Sequence, residues 1–454
     1  IQTLKLCLAL ALFAARPAVA DSDPLANVLG EQGAGLGAVM RAEGSLYRGG
    51  GTSRDLLPLY LYDDAHFYLH AYRAGVKLVN GENDHVNVFF SQRFEGFPYD
   101  RVPSSLAGME ERSSGADFGV SYQHGDAWGA VYVEYLHDIS DASSGNELRL
   151  GYNYDWQSGR WHVRPYLRLA LRDDKLNDYY YGVRRDEATA ERRAYMPGAG
   201  VNTEFGLYAS YAVTERWRLL GGMGATHWSS GVRESPIVEN RAFQYSGALG
   251  LMYDFSPQRE VWPEKNSVIV KLMYGQSSDC NLIKIMALGC TSTHTLDNTN
   301  IAGVEVGRPF IRRLNGWPVD VVGYAGVTHH DEDGHQPDFW QANAYMKLFY
   351  YGFPWDKHVR TRIGFGAGVS IAQRVPYVEQ RDQARRGRNT SKLLNYLDPS
   401  IDVSVGDLIN VPSMGETYAG FGVAHRSGIF ATSQLLGNVN GGSNYIYTYV
   451  EWKM

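Results

Sequence analysis

Residues 162–172 read HVRPYLRLALR, and taken with a period of two they carry two chemistries. Val163, Pro165, Leu167, Leu169 and Leu171 fall on one side, while His162, Arg164, Tyr166, Arg168 and Arg172 fall on the other. A period of two is that of a β-strand, whose side chains alternate between faces. An unbroken apolar face backed by arginines suits a wall between lipid and a polar lumen better than a layer of a soluble sandwich.

The same pattern recurs outward from this stretch. In YIYTYVEWKM, residues 445–454, Ile446, Thr448, Val450, Trp452 and Met454 alternate with Tyr445, Tyr447, Tyr449, Glu451 and Lys453. Similar segments lie at 115–124, 146–156, 201–211 and 401–406. Transmembrane β-strands of about 10 residues separated by turn residues look like this. Composition agrees: 31 Tyr, 10 Trp and 50 Gly favour many strands and tight turns. The mean hydropathy of −0.32 and the absence of a second long apolar run exclude membrane-spanning helices. A net charge of −6 gives no sign of nucleic-acid binding.

The chain opens with Lys5 ahead of an apolar run and an Ala18-Val19-Ala20 site before Asp21, so residues 1–20 read as a secretory signal peptide. Export to an oxidising compartment makes the remaining cysteines, Cys280 and Cys290, a disulfide pair. Two thiols do not complete a zinc shell, and neither a metal nor a cofactor is predicted.

The expected fold is therefore all-β: antiparallel transmembrane barrels in the outer membrane, where closure satisfies every backbone group. Phe255 ends GALGLMYDF like a closing strand, and a polar stretch follows. This predicts a first barrel of about 10–12 strands over 21–256, a linker at 257–267, and a second barrel over 268–454. A single barrel of roughly twenty strands is the competing reading. Eight strands are predicted in the second part, starting near Val268, Asn298, Val319, Phe339, Val359, Pro399, Tyr418 and Tyr445. Short connections at 311–318, 352–358 and 408–416 alternate with longer ones, which orients the strands, since short turns face the periplasm.

Four stretches carry a family resemblance: GLGAVMRAEGSLYRGG (35–50), LLPLYLYDDAHFYL (56–69), NDYYYGV (177–183) and SPIVENRAFQYSGALGLMYDF (235–255). In these the first part resembles the MipA/OmpV family of MltA-interacting outer-membrane proteins. The resemblance implies an outer-membrane barrel that serves envelope organisation by scaffolding a periplasmic murein hydrolase or synthase, and it brings no catalytic residues.

Within GFGVAHRSGIF, residues 420–430, His425 and Ser427 share the apolar face near the upper end of the seventh strand. The second part looks like the eight-stranded lipid A 3-O-deacylases of the PagL type, which carry a His-x-Ser motif on a late strand. The resemblance implies a serine esterase acting on lipid A acyl chains, with Ser427 as nucleophile and His425 as base. The family's glutamate has no counterpart here, and Asp402 and Glu451 fall on the lumen face. Asn438, Asn440 and Asn444 are the candidates left to orient the histidine; a packing role at the membrane interface is the bland alternative for His425.

Arg381, Arg385, Arg386, Arg388 and Lys392 form a basic cluster in the long loop before the sixth strand, placed for lipopolysaccharide phosphates. THHDEDGH, with His329, His330 and His335, reads as a solvated loop rather than a cation site. Lumen arginines such as Arg164 and Arg168 keep a small-solute channel open as a further alternative, although small barrels are filled by their own side chains.

Overall fold

The computed structural model describes residues 23–26, 28–29, 33–97, 103–256, 267–293 and 297–454. The expected signal peptide at 1–20 and nearly all of the expected linker at 257–267 lie outside the described residues. No described helix is long and apolar enough to cross a membrane. The strands are antiparallel throughout and fall into two compact units divided after residue 257.

The first unit holds β1 (Gly33–Gly44), β2 (Thr52–Asp63), β3 (Phe67–His70), β4 (Arg73–Asn80), β5 (Asp84–Gln92), β6 (Ala116–Asp126), β7 (Gly129–Asp138), β8 (Asn146–Asn153), β9 (Trp156–Ser158), β10 (Trp161–Arg172), β11 (Gly200–Ala212), β12 (Trp217–His227) and β13 (Gln244–Asp254). Consecutive strands pair, β8 and β9 share one position because both pair with β10, and β13 closes on β1. The result is a barrel of twelve positions. β10 has the predicted parity: Arg164, Tyr166 and Arg172 are buried in the lumen, and Leu167, Leu169 and Leu171 are exposed on the outer wall.

The second unit is a closed eight-stranded barrel of β14 (Ile269–Ser277), β15 (Asn300–Ile311), β16 (Val319–Asp331), β17 (Phe339–Tyr350), β18 (Thr361–Ala372), β19 (Leu393–Ser404), β20 (Thr417–Gly428) and β21 (Gly441–Lys453). Two starts differ from expectation. β19 begins at Leu393 rather than near Pro399, and β21 at Gly441 rather than near Tyr445. Pro399 sits inside its strand where the ladder to β20 skips from Leu397↔His425 to Ser400↔Gly422, so its missing N–H leaves no partner waiting. Gly442 is needed inside β21, because a Cβ there would strike the carbonyl of Arg426. β16 also runs on to Asp331, so His329 and His330 stand on a strand rather than in a loop.

Ion pairs fill the second lumen. Lys271 meets Glu305 at 3.0 Å and Asp398 at 2.9 Å, Lys347 meets Asp398 at 3.0 Å, and Arg362 meets Asp402 and Glu451, each at 2.8 Å. Tyrosine hydroxyls add hydrogen bonds to these carboxylates, as where Tyr324 donates to Glu451 at 2.7 Å. A small barrel packed in this way has no room for an axial pore.

Candidate functional site

β20 and β21 set His425 opposite Asn444 and Ser427 opposite Gly442. Their parity sends Gly422, Ala424 and Arg426 into the lumen and leaves Phe421, His425 and Ser427 on the outer wall. His425 Nδ1 lies 2.7 Å from Asn444 Oδ1, and Asn444 Nδ2 donates to the carbonyl of Cys280 at 2.9 Å. The second bond fixes the amide, because only its nitrogen can donate to a carbonyl. The oxygen therefore faces the imidazole and accepts from Nδ1–H, which leaves the lone pair on Nε2. Of the three candidate asparagines, Asn444 is the one hydrogen-bonded to the histidine.

Cys280 comes from the loop after β14. It is disulfide-bonded to Cys290, with Cα atoms 5.8 Å apart. Between them runs α1 (Leu282–Met286), started by the Asn281 side chain accepting from the Ile283 amide. Cys280 and Ile285 pack on Val423, with Cys290 and Ile446 beside them, so the loop lies on the outer face of the wall next to His425. Ile283, Met286, Leu288 and, after β20, Phe430 are exposed. The site is thus a histidine–asparagine pair with a nearby serine, bordered by apolar side chains. Among the described residues no hydrogen bond joins Ser427 to His425. No carboxylate approaches from the wall either, since Asp402 and Glu451 are held inside by Arg362.

The basic cluster is divided. α2 (Tyr377–Arg385) carries Arg381, which is paired with Asp279, Asp297 and Asp382. Arg388 donates to the Asn440 carbonyl at 2.8 Å, and Arg385, Arg386, Arg388 and Lys392 are exposed. His330 stacks on Phe339 inside the barrel while His329 meets Trp340 at ring centroids 5.0 Å apart, so alternation splits the pair. Among the described residues no three metal-ligating side chains converge.

The first barrel holds a cavity of about 390 Å³ lined by Arg41, Arg93, Arg168, Glu204 and Tyr208 among others. Below it, residues 23–26 and 28–29 enter the lumen: Asp23 binds His70 at 2.9 Å, and Arg164 donates to the carbonyls of Asp23 and Ala26. Above it, the outer loops share an apolar core that includes Tyr47, Phe97, Leu106, Tyr181, Trp228 and Ile237. The buried Arg112–Glu187 pair, 2.6 Å apart, ties two of these loops together.

Residues 34–255 match the family described as MltA-interacting protein MipA. The first barrel belongs to the MipA/OmpV outer-membrane family. Outer membrane protein Omp26La of Vibrio anguillarum is 29% identical over 161 residues, 35% of this chain and 62% of that protein. OmpV of Vibrio cholerae is 28% identical over the same shares. The MltA-interacting protein of Escherichia coli is 25% identical over 233 residues, 49% of this chain and 89% of that protein. The match to the two Vibrio proteins thus spans less than two thirds of their length. Solved outer-membrane barrels that align over most of the chain do so at a TM-score of 0.22, which carries no argument. The chain is an outer-membrane β-barrel protein whose MipA/OmpV match covers the first barrel, and the His425 site lies beyond that match.

Proposed function

We propose that this protein organises the cell envelope, its MipA/OmpV barrel holding a murein-remodelling enzyme at the periplasmic face of the outer membrane. The observation that carries this reading is the family match over 34–255 to proteins described as MltA-interacting, with most of the Escherichia coli protein of that name covered. The architecture supports it, because the periplasmic connections of the first barrel are tight turns that give a partner a firm surface. The test is capture of the tagged full chain from cross-linked cells. Recovery of a murein hydrolase or synthase with this protein, but not with an unrelated outer-membrane barrel of equal abundance, is the expected result; equal recovery with both refutes it.

A second reading is favoured by the hydrogen bond between His425 and Asn444: removal of an ester-linked acyl chain from lipid A. Nε2 of His425 would take the proton of Ser427 as Oγ attacks the ester carbonyl and pass it to the departing lipid A hydroxyl as the acyl C–O bond breaks, leaving an acyl-enzyme that water then hydrolyses to the free fatty acid and Ser427. The exposed apolar residues of α1 would border the acyl chain, and Arg385, Arg386, Arg388 and Lys392 would meet the phosphates. Mass spectrometry of lipid A from cells carrying the intact protein or Ser427→Ala decides this. Loss of one acyl chain with the intact protein alone supports the esterase. Identical spectra from a host whose lipid A carries the ester leave His425 as an interfacial residue.

A further inference from the structure

We propose that the first barrel binds an outer-leaflet phosphoglycolipid of the lipid A class, one acyl chain and its phosphates, in a crevice on the outer wall where β13 closes on β1. The site is on the other barrel from His425 and rests on neither reading above.

Parity decides which side chains face lipid there. Arg41 lines the lumen cavity and pairs with Asp55 at 3.6 Å, so its neighbours Met40 and Ala42 face outward. Ala42 stands opposite Gly247 of β13 on one side and opposite Arg54 of β2 on the other, which puts Arg54 on the outer wall as well. Around this point lies a crevice of about 390 Å³, lined by Ala42, Gly44, Thr52, Arg241, Tyr245 and Gly247 among others. Its floor is bare backbone at Gly44 and Gly247. Close packing does not demand glycine at either place: an added Cβ would meet nothing nearer than 3.8 Å at Gly44 and 3.9 Å at Gly247. Longer side chains there would fill the crevice. One wall is aromatic, with the Phe243 ring centroid 6.0 Å from that of Phe205 and 6.4 Å from that of Tyr245. Deeper in the membrane on the same two strands, Met40 and Leu249 are exposed.

The charge sits at the mouth. β1 ends and β13 begins at the end of the barrel that carries the long loops, so the mouth is level with the outer-leaflet head groups. Arg48 and Arg54 are exposed, and among the described residues no carboxylate lies in ion-pair range of either; the Arg48 Nε donates to the Val238 carbonyl at 3.1 Å. Arg241 reaches over Gly44, 4.0 Å from where a Cβ would stand, and pairs with Glu239. Three guanidiniums against one carboxylate leave a positive mouth above an apolar crevice. Guanidinium recognises phosphate oxygens in pairs. An amphiphile with more than one phosphate on its head complements both parts, and in the outer leaflet that chemistry is lipid A. The volume is near the small end of ligand pockets, which suits one acyl chain rather than several.

The test places a benzoylphenylalanine cross-linker at Thr52, in the crevice, or at Val201, exposed on the outer wall at the same end of β11, in the otherwise intact full chain. Each protein is irradiated in phosphatidylcholine vesicles holding equal minor amounts of lipid A and phosphatidylglycerol, and the adducts are counted by mass spectrometry. The expected result is several-fold more lipid A on position 52 than on position 201. Arg54→Gln with Arg241→Gln should bring position 52 down to the level of position 201, and so should Gly247→Leu, which fills the floor. If Gly247→Leu does not reach the folded, heat-modifiable form, the arginine variant decides, because both of its sites are exposed. Equal lipid A adducts at the two positions overturn the proposal, as does an enrichment that the arginine variant leaves intact. Phosphatidylglycerol enriched as strongly as lipid A also overturns it, since the crevice would then take any anionic lipid.

Discussion

Asp398→Asn should destabilise the second barrel far more than its single-atom change suggests. Asp398 is fully enclosed and accepts from Lys271 at 2.9 Å, from Lys347 at 3.0 Å and from the Tyr447 hydroxyl. In the variant Lys271 keeps Glu305 at 3.0 Å, but Lys347 has no second carboxylate in ion-pair range among the described residues. One buried ammonium is left without a counter-charge. Removing one side of a buried pair costs about 3–5 kcal/mol, and the amide preserves volume, so no cavity term is added. Adding Lys347→Met removes the orphaned charge and should recover most of the loss. The assay is urea unfolding in vesicles, read through hydrogen exchange of β18 to β20. A loss under about 1 kcal/mol, unrelieved by Lys347→Met, refutes the reasoning, because it means that water reaches and hydrates the lumen.

Three further outcomes follow from named contacts. Asn444→Asp supplies the carboxylate that the pair lacks; if the site is an esterase, its activity rises and the acid limb of its pH profile moves upward. The gain should stay below the roughly 10⁴-fold effect of the equivalent exchange in serine proteases, because Asn444 already holds the correct tautomer. Cys290→Ser opens the loop that carries α1, costing at most roughly 3 kcal/mol by the loop-entropy rule; it should speed hydrogen exchange at 280–290 while leaving the barrel strands protected. On the periplasmic turn 405–416, Asp407 accepts from Arg360, which holds its carboxyl down at about 2 against an ordinary 3.8. A depressed folded value gives a contribution that is present above about pH 4 and lost as pH falls toward 2, so exchange in this turn should quicken over that window in the intact protein but stay flat in Asp407→Asn.

The wall was legible because lipid outside and a polar lumen inside force a strict alternation, which β10 and β21 display residue by residue. What the sequence hid were places where backbone geometry overrides residue type. Pro399 reads as a strand start because proline is normally confined to strand ends, yet the skipped ladder beside it tolerates the missing N–H. Gly441 and Gly442 read as loop, yet close approach to Arg426 requires glycine inside the strand. Asn444 could not be chosen over Asn438 and Asn440, because the choice depends on the register of β20 with β21, which the length of the intervening loop does not fix.

The two lumens constrain what each barrel can do. In the second, enclosed ion pairs fill the interior, so any chemistry must lie on the outer wall, where His425, Asn444 and Ser427 stand among apolar side chains. In the first, the Asp23–Ala26 stretch from below and packed loops from above bound the hollow at both ends. Neither arrangement suits transport along a barrel axis. A conductance measurement separates the explanations. An axial channel would conduct small ions, and deleting residues 23–29 would enlarge that current. A lumen closed at both ends conducts nothing in the intact protein, and the deletion, which removes the Asp23–His70 contact but leaves the packed outer loops in place, still opens no continuous pore.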